Sequence, residues 1–314
     1  MEYRKLGTSG LRVSEVGLGG NNFGKFCDEA QTAGVIHRAL DLGVNHLDTA
    51  DMYAGTVSER FVGKAIAARR QEVVLATKVG CPLGPGPNDG GLSYRRVIAC
   101  CEASLRRLGT DYIDVYYLHR PDPLTPPAET LRAFDDLVRQ GKVRYVGISN
   151  YPAWQACEIL WVSERHGFRP PMVTQNGYSL LDRAVESELL PFCRAHGMGL
   201  VPFYPLSGGL LTGKYRAGEP APAGTRGSHD HPIVRQSFNE RNFALVAALD
   251  AFARAQGHTI AELAIAWLLA HPEVPSVIAG ATKPEQVAAN VAAASWRLTP
   301  EEVRATEEIL ASNH

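Results

Sequence analysis

Asp48, Tyr53, Lys78 and His119 bring together a carboxylate, a phenol, an ammonium and an imidazole. Such a set can pass a proton to a carbonyl oxygen. A free phenol has a pKa of about 10, too high for easy transfer near neutrality. A nearby ammonium favours the phenolate and lowers that value, and a carboxylate paired with the ammonium would hold it in place. A neutral imidazole can donate a hydrogen bond to the carbonyl oxygen and orient it, so that a developing alkoxide meets donors already aimed at it. Each residue also has a blander role. A strand-terminal Asp caps the next helix, a Tyr packs, a Lys snorkels to solvent, and a His sits satisfied on a rim. What decides between these roles is whether the elements around them deliver all four to one place.

The apolar segments 16–19, 46–48, 73–78, 113–119, 145–149, 173–175, 200–203 and 277–280 are short and lack polar alternation, as parallel strands buried on both faces do. Helical patterns lie between them, over 28–42, 58–68, 94–108, 127–140, 152–166, 186–196 and 285–294, with a further one opened by Thr259-x-x-Glu262. Asp28-x-x-Gln31 and Thr259-x-x-Glu262 read as N-terminal boxes, and Pro284 as a helix start. The alternation predicts an α/β fold, a closed (β/α)8 TIM barrel, as one domain over residues 1–314. Segments 3–6 and 11–13 flank Gly7-Thr8-Ser9-Gly10 and predict an N-terminal β-hairpin. Extra helices are expected near the C-terminus, one over 239–255 and one from Thr299 to near Leu310. Gly/Pro-rich stretches at 83–91 and 218–232 predict loops. In such a barrel, chemistry gathers at the C-terminal ends of the strands. Those ends carry Asp48 with Tyr53 just beyond it, Lys78, His119, Ser149-Asn150, Gln175-Asn176 and Phe203-Tyr204.

Composition narrows the function classes. The 314 residues carry a formal net charge of −1, so no global field favours nucleic acid or an anionic membrane. No signal peptide is expected, and no apolar run reaches the roughly 18 residues of a membrane span. Cys27, Cys81, Cys100, Cys101, Cys157 and Cys193 form no C-x-x-C pair, which predicts reduced thiols and a cytoplasmic protein. Gly17-Leu18-Gly19-Gly20 is not a Rossmann fingerprint, because it opens no helix in the required way. A glycosidase needs two carboxylates at a set separation. Here Asp48 and Asp51 share one loop, and the fourth and seventh strands end without an acid.

The motifs carry a resemblance. Asp48-Thr49-Ala50-Asp51-Met52-Tyr53, Ala76-Thr77-Lys78, Leu118-His119-Arg120-Pro121-Asp122 and the run Gly141-Lys142-Val143-Arg144-Tyr145-Val146-Gly147-Ile148-Ser149-Asn150 resemble the aldo-keto reductase superfamily, in its order and over nearly the whole chain. The resemblance implies a reductase of aldehydes or ketones that takes hydride from NADPH, with NAD a poorer cofactor. It implies Tyr53 as general acid, Lys78 as its modulator, Asp48 as the lysine's partner and His119 as carbonyl orienter. Ser149, Asn150 and Gln175 would hold the nicotinamide carboxamide. Phe203 would stack on the ring, where Pro202-Phe203-Tyr204-Pro205-Leu206 replaces the family's usual Y-S-P-L. Leu206, Gly209 and Lys214 would approach the pyrophosphate. Gly280, Thr282, Lys283, Gln286 and Asn290 would take the adenosine end, with Lys283 on the 2′-phosphate of NADP although Gln286 stands where some members carry Arg. The partner expected is a small-molecule carbonyl substrate, lined by Phe23, Met52, Arg120 and Tyr151, with Asn22, Phe26, Leu83 and Tyr204 as further rim residues. A second reading is a cofactor-sensing regulatory barrel, similar to the β subunits of potassium channels.

Overall fold

A computed structural model describes residues 1–222, 225–228, 234 and 237–312. Eight parallel strands close into a barrel: β3 (Val16–Gly19), β4 (His46–Asp48), β5 (Val74–Val79), β6 (Ile113–Leu118), β7 (Val143–Ser149), β8 (Val173–Gly177), β9 (Gly199–Phe203) and β10 (Val277–Gly280), with β10 pairing back onto β3. Ahead of them, β1 (Tyr3–Lys5) and β2 (Arg12–Ser14) form an antiparallel hairpin. The helices α1 (Glu29–Asp41), α2 (Val57–Ile66), α3 (Tyr94–Leu108), α4 (Pro127–Arg139), α5 (Ala153–His166) and α6 (Leu189–His196) follow β3 to β8 in turn. Then come α7 (Glu240–Ala255), α8 (Ile260–Leu269), α9 (Pro284–Ala293) and α10 (Pro300–Ser312).

Local chemistry sets most boundaries. The Asp28 and Thr259 side chains each accept from the backbone N–H three residues on, and Gln31 and Glu262 return the bond, completing both capping boxes. The segment expected as helix over 186–196 divides instead into a 3-10 turn at Ala184–Glu186 and α6 from Leu189. Pro191 explains the late start, since it has no N–H to donate and is tolerated only in a first helical turn. The helix expected over 58–68 ends at Ile66 and tightens into a 3-10 stretch, Ala67–Glu72. The expected 218–232 loop lies partly outside the described residues.

Two apolar layers hold the fold. The outer one packs helices on strands and contains the fully buried Ile36, Leu75, Phe134 and Trp267. The inner one fills the barrel with Val74, Ala76, Val115, Tyr117, Val173, Val201 and Ile278, and takes in Leu6 and Val13 from the hairpin. The hairpin therefore packs against the barrel's interior, at its N-terminal end. Glycines make room for the larger interior side chains. A Cβ on Gly147 would lie 2.4 Å from Tyr117 Cε1 and 3.0 Å from Val173 Cγ1. Because Tyr117 is fully enclosed, Gly147→Ala should cost about 1–3 kcal/mol through overpacking. Urea unfolding measures this, and an unchanged midpoint would show that the ring has somewhere to go.

Candidate active site

The strand ends place the chemistry. β4 ends on Asp48, and β5 pairs with it so that Asp48 lies opposite Ala76, two residues before Lys78. With side chains alternating along a strand, Asp48 and Lys78 both point into the barrel. Lys78 Nζ meets Asp48 Oδ2 at 2.6 Å and also donates to the Thr49 carbonyl at 2.9 Å and to the Tyr53 hydroxyl at 3.3 Å. Only 1% of Lys78 and 4% of Asp48 is exposed, so the pair is buried and has to be well bonded to persist. It is: the other Asp48 oxygen accepts from Gln175 Nε2 at 2.8 Å. Tyr53 reaches the site from the loop after β4, half-buried, its ring 5.0 Å from Lys78 Nζ.

His119 follows β6 and meets Tyr53 edge-on, with ring centroids 6.1 Å apart. Its Nδ1 lies 3.6 Å from Cys81 Sγ. A thiol donating there leaves the ring's own N–H on Nε2. Asn150, in a left-handed conformation at φ 63, donates from Nδ2 to the His119 carbonyl at 2.9 Å and to Ser149 Oγ at 3.0 Å. Asn tolerates that backbone better than most residues.

The electrostatics differ in one respect from the sequence expectation. Burial raises the Tyr53 pKa above the ordinary phenol value, and the Lys78 ammonium only partly reverses that. Tyr53 is therefore protonated at neutral pH. For Lys78, burial pulls downward, but the Asp48 and Tyr53 oxygens outweigh it, and the ammonium is held above its ordinary range. His119 falls to about 3, through burial first and then the Lys78 and Arg120 charges, so it is a neutral imidazole.

Asp48, Tyr53 and His119 open onto a cleft of about 920 Å³. Lys78 lies beneath it. The cleft runs past Ser149, Asn150, Gln175 and Phe203, along Leu206, Gly209 and Lys214, to Gly280, Thr282, Lys283, Gln286 and Asn290. Its wall after β9 is strained. Tyr204, Ser207, Gly208 and Gly209 all have positive φ, and a Cβ on Gly209 would sit 3.0 Å from Lys214 Nζ. At the far end, the Thr282 N–H and hydroxyl both donate to Gln286 Oε1, at 2.7 and 3.2 Å, ahead of α9.

Of the four expected substrate residues, two stay at the rim and two turn elsewhere. Phe23 is 1% exposed and packs in the outer core. Met52 and Arg120 are exposed at the rim. Tyr151 is buried and lines a separate cavity of about 320 Å³ with Pro121, Asp122 and Glu158. Of the further rim residues, Asn22, Phe26 and Tyr204 line the main cleft. Gly20, Thr212, Thr225 and Ala261 line it too, without any signal in residue type that marks them. Among the described residues, no group of His, Cys, Asp or Glu could hold a metal ion, and no helix is long and apolar enough to cross a membrane.

The barrel carries its titratable group and long cleft at the C-terminal ends of its strands, and residues 15–311 match the family model described as Aldo/keto reductase family. The chain belongs to the aldo/keto reductase family. It is 39% identical to a probable voltage-gated potassium channel subunit beta from Oryza sativa subsp. japonica, over 99% of this chain and 97% of the relative. It is 35% identical to L-glyceraldehyde 3-phosphate reductase of Escherichia coli (strain K12), over 93% and 87%, and 35% identical to versiconal hemiacetal acetate reductase of Aspergillus parasiticus, over 98% and 96%.

Proposed function

We propose that the protein is an NADPH-dependent carbonyl reductase of the cytoplasm, with Tyr53 as general acid, acting on a small aldehyde or ketone. The observation that carries this is the contact of Lys78 Nζ with the Tyr53 hydroxyl at 3.3 Å, at the floor of a cleft about 920 Å³ in volume. The donor set fits a nicotinamide dinucleotide. Gln175, Ser149 and Asn150 offer amide and hydroxyl groups to a carboxamide, Phe203 an aromatic face, and Gly208 and Gly209 open backbone for a close approach. Lys214 supplies positive charge for a pyrophosphate, while Lys283 and the N-terminus of α9 do so for a 2′-phosphate. When bound, the cofactor supplies the hydride.

The protein's own groups do the rest. Neutral His119 donates to the carbonyl oxygen and orients it. Tyr53 gives that oxygen its proton, and Lys78, anchored by Asp48, stabilises the phenolate left behind. Six free cysteines, five of them buried, accord with a reducing compartment.

Fluorescence titration with NADPH and NADH, followed by a panel of aldehydes and ketones, tests the reading. Tight NADPH binding with turnover is expected. Lys283→Ala should weaken NADPH by roughly tenfold, as for loss of one charge-assisted contact, and leave NADH unchanged. Equal weakening of both would remove Lys283 from the 2′-phosphate. The likeness to potassium channel β subunits favours a second reading, a cofactor sensor. Tight NADPH binding with negligible turnover across the panel would establish it.

A further inference from the structure

The cavity beside α4 and α5, about 320 Å³ in volume, shares no lining residue with the long cleft. Its size falls at the lower end of the roughly 300–1,000 Å³ that small-molecule sites occupy. One wall is the loop over 121–127, where Pro121, Pro123, Pro126 and Pro127 each fix a backbone angle and stiffen the chain. Asp122 pins that loop further. Its Oδ2 accepts from the Leu92 N–H and the Thr125 hydroxyl, each at 2.7 Å, and its Oδ1 from the Leu124 N–H at 3.0 Å. A wall already rigid loses little entropy when a ligand docks. The inner face is apolar, since Leu92, Leu118 and Ile159 line it and are at most 3% exposed.

Tyr151 is the polar group turned toward this space. It is 4% exposed, and no described residue hydrogen-bonds its hydroxyl. The charges of Asp122 and Glu158 both reach that hydroxyl, and both residues line the cavity, so the hydroxyl lies against it. Buried hydroxyls normally have a partner, and here the side left open is the cavity.

The charge around the cavity has one sign. Asp122 and Glu158 line it, and no Lys, Arg or His does. Burial pushes the Asp122 carboxyl up, but the Thr125 hydroxyl and the Leu92 and Leu124 amides outweigh it and hold the group below the ordinary carboxylate range. Glu158 is exposed at the edge and has no ion-pair partner among the described residues. An anion would be repelled here, and a pure hydrocarbon would leave the Tyr151 oxygen unbonded.

We propose that this cavity is a second binding site, for a small organic ammonium whose apolar body lies among Leu92, Leu118 and Ile159 and whose charged end meets Glu158 and the Tyr151 oxygen. The site is judged without turnover, so it stands or falls apart from the reductase reading. Benzylamine, an ammonium on a compact apolar body, is the probe. In the intact protein with carbon-13-labelled tyrosine, the Tyr151 resonance is the one lost in Tyr151→Phe. Amide signals of α5 give a readout that does not need this variant. Both should shift on titration with benzylamine near neutral pH, with a Kd of about 1 mM, ordinary for so small a ligand. Benzyl alcohol, which keeps the shape without the charge, and Glu158→Gln, at an exposed position, should each weaken binding by about fivefold, the upper value for an exposed ion pair. Benzoate should move neither signal. Signals that stay still up to about 10 mM benzylamine, tenfold above the expected Kd, overturn the proposal. So does benzyl alcohol binding as tightly as benzylamine, or a Glu158→Gln protein binding benzylamine as the wild type does.

Discussion

Replacing Tyr53 by Phe is expected to lower kcat by about 10²–10⁴-fold, the usual contribution of a positioned general acid. The variant removes one oxygen and keeps the ring. The edge-on contact with His119 and the cation–π contact with Lys78 are contacts of that ring. Folding and cofactor binding should therefore survive, so the loss should appear in turnover alone. The protonation states support the size of the effect. Burial keeps the phenol protonated, and His119, at about 3, cannot take over as an acid near neutrality. Steady-state turnover beside an NADPH fluorescence titration decides the matter. A Tyr53→Phe enzyme with near wild-type kcat would end the role proposed for Tyr53.

The second large effect is on stability. Lys78→Met removes the cation from a buried pair and leaves Asp48, 4% exposed, with Gln175 as its remaining side-chain donor. Breaking a buried pair from one side costs about 3–5 kcal/mol, since the remaining charge stays dry and uncompensated. Urea unfolding should show it. Turnover should collapse as well if, as proposed, the same ammonium stabilises the phenolate. The double variant Lys78→Met with Asp48→Asn separates the two effects. Neutralising the orphaned carboxylate should recover much of the stability and none of the turnover. If the single variant unfolds at the wild-type urea concentration, the pair does not carry the burial cost ascribed to it.

Much of this was legible in the sequence, for physical reasons. Parallel strands buried on both faces leave apolar runs, so residue types alone bound β3, β4 and β10 to the residue. Once the strands are bounded, their ends identify the rim, and Asp48, Lys78, His119, Ser149 and Gln175 fall on it because of the period of two. What was not legible depends on loop paths. Phe23 turns inward to the outer core and Tyr151 faces a cavity beside α4 and α5, neither of which residue type reveals. The direction of the Tyr53 shift was also hidden. Sequence places the Lys78 charge beside it, but the depth of burial that outweighs this charge belongs to the tertiary packing. Asp51 reads as one more motif residue until its buried carboxyl is found without a hydrogen-bond donor in good geometry among the described residues.

The hairpin at the chain's start has a consequence for traffic. Leu6 and Val13 are 0% exposed against the barrel's inner layer, and a Cβ on Gly7 would fall 2.0 Å from the Met172 carbonyl oxygen. With its floor stoppered so tightly, the barrel is a cup closed at the end where the hairpin packs. A molecule that reaches Asp48 and Gln175 therefore has to come from the side of the strands' C-terminal ends, where the cleft lies.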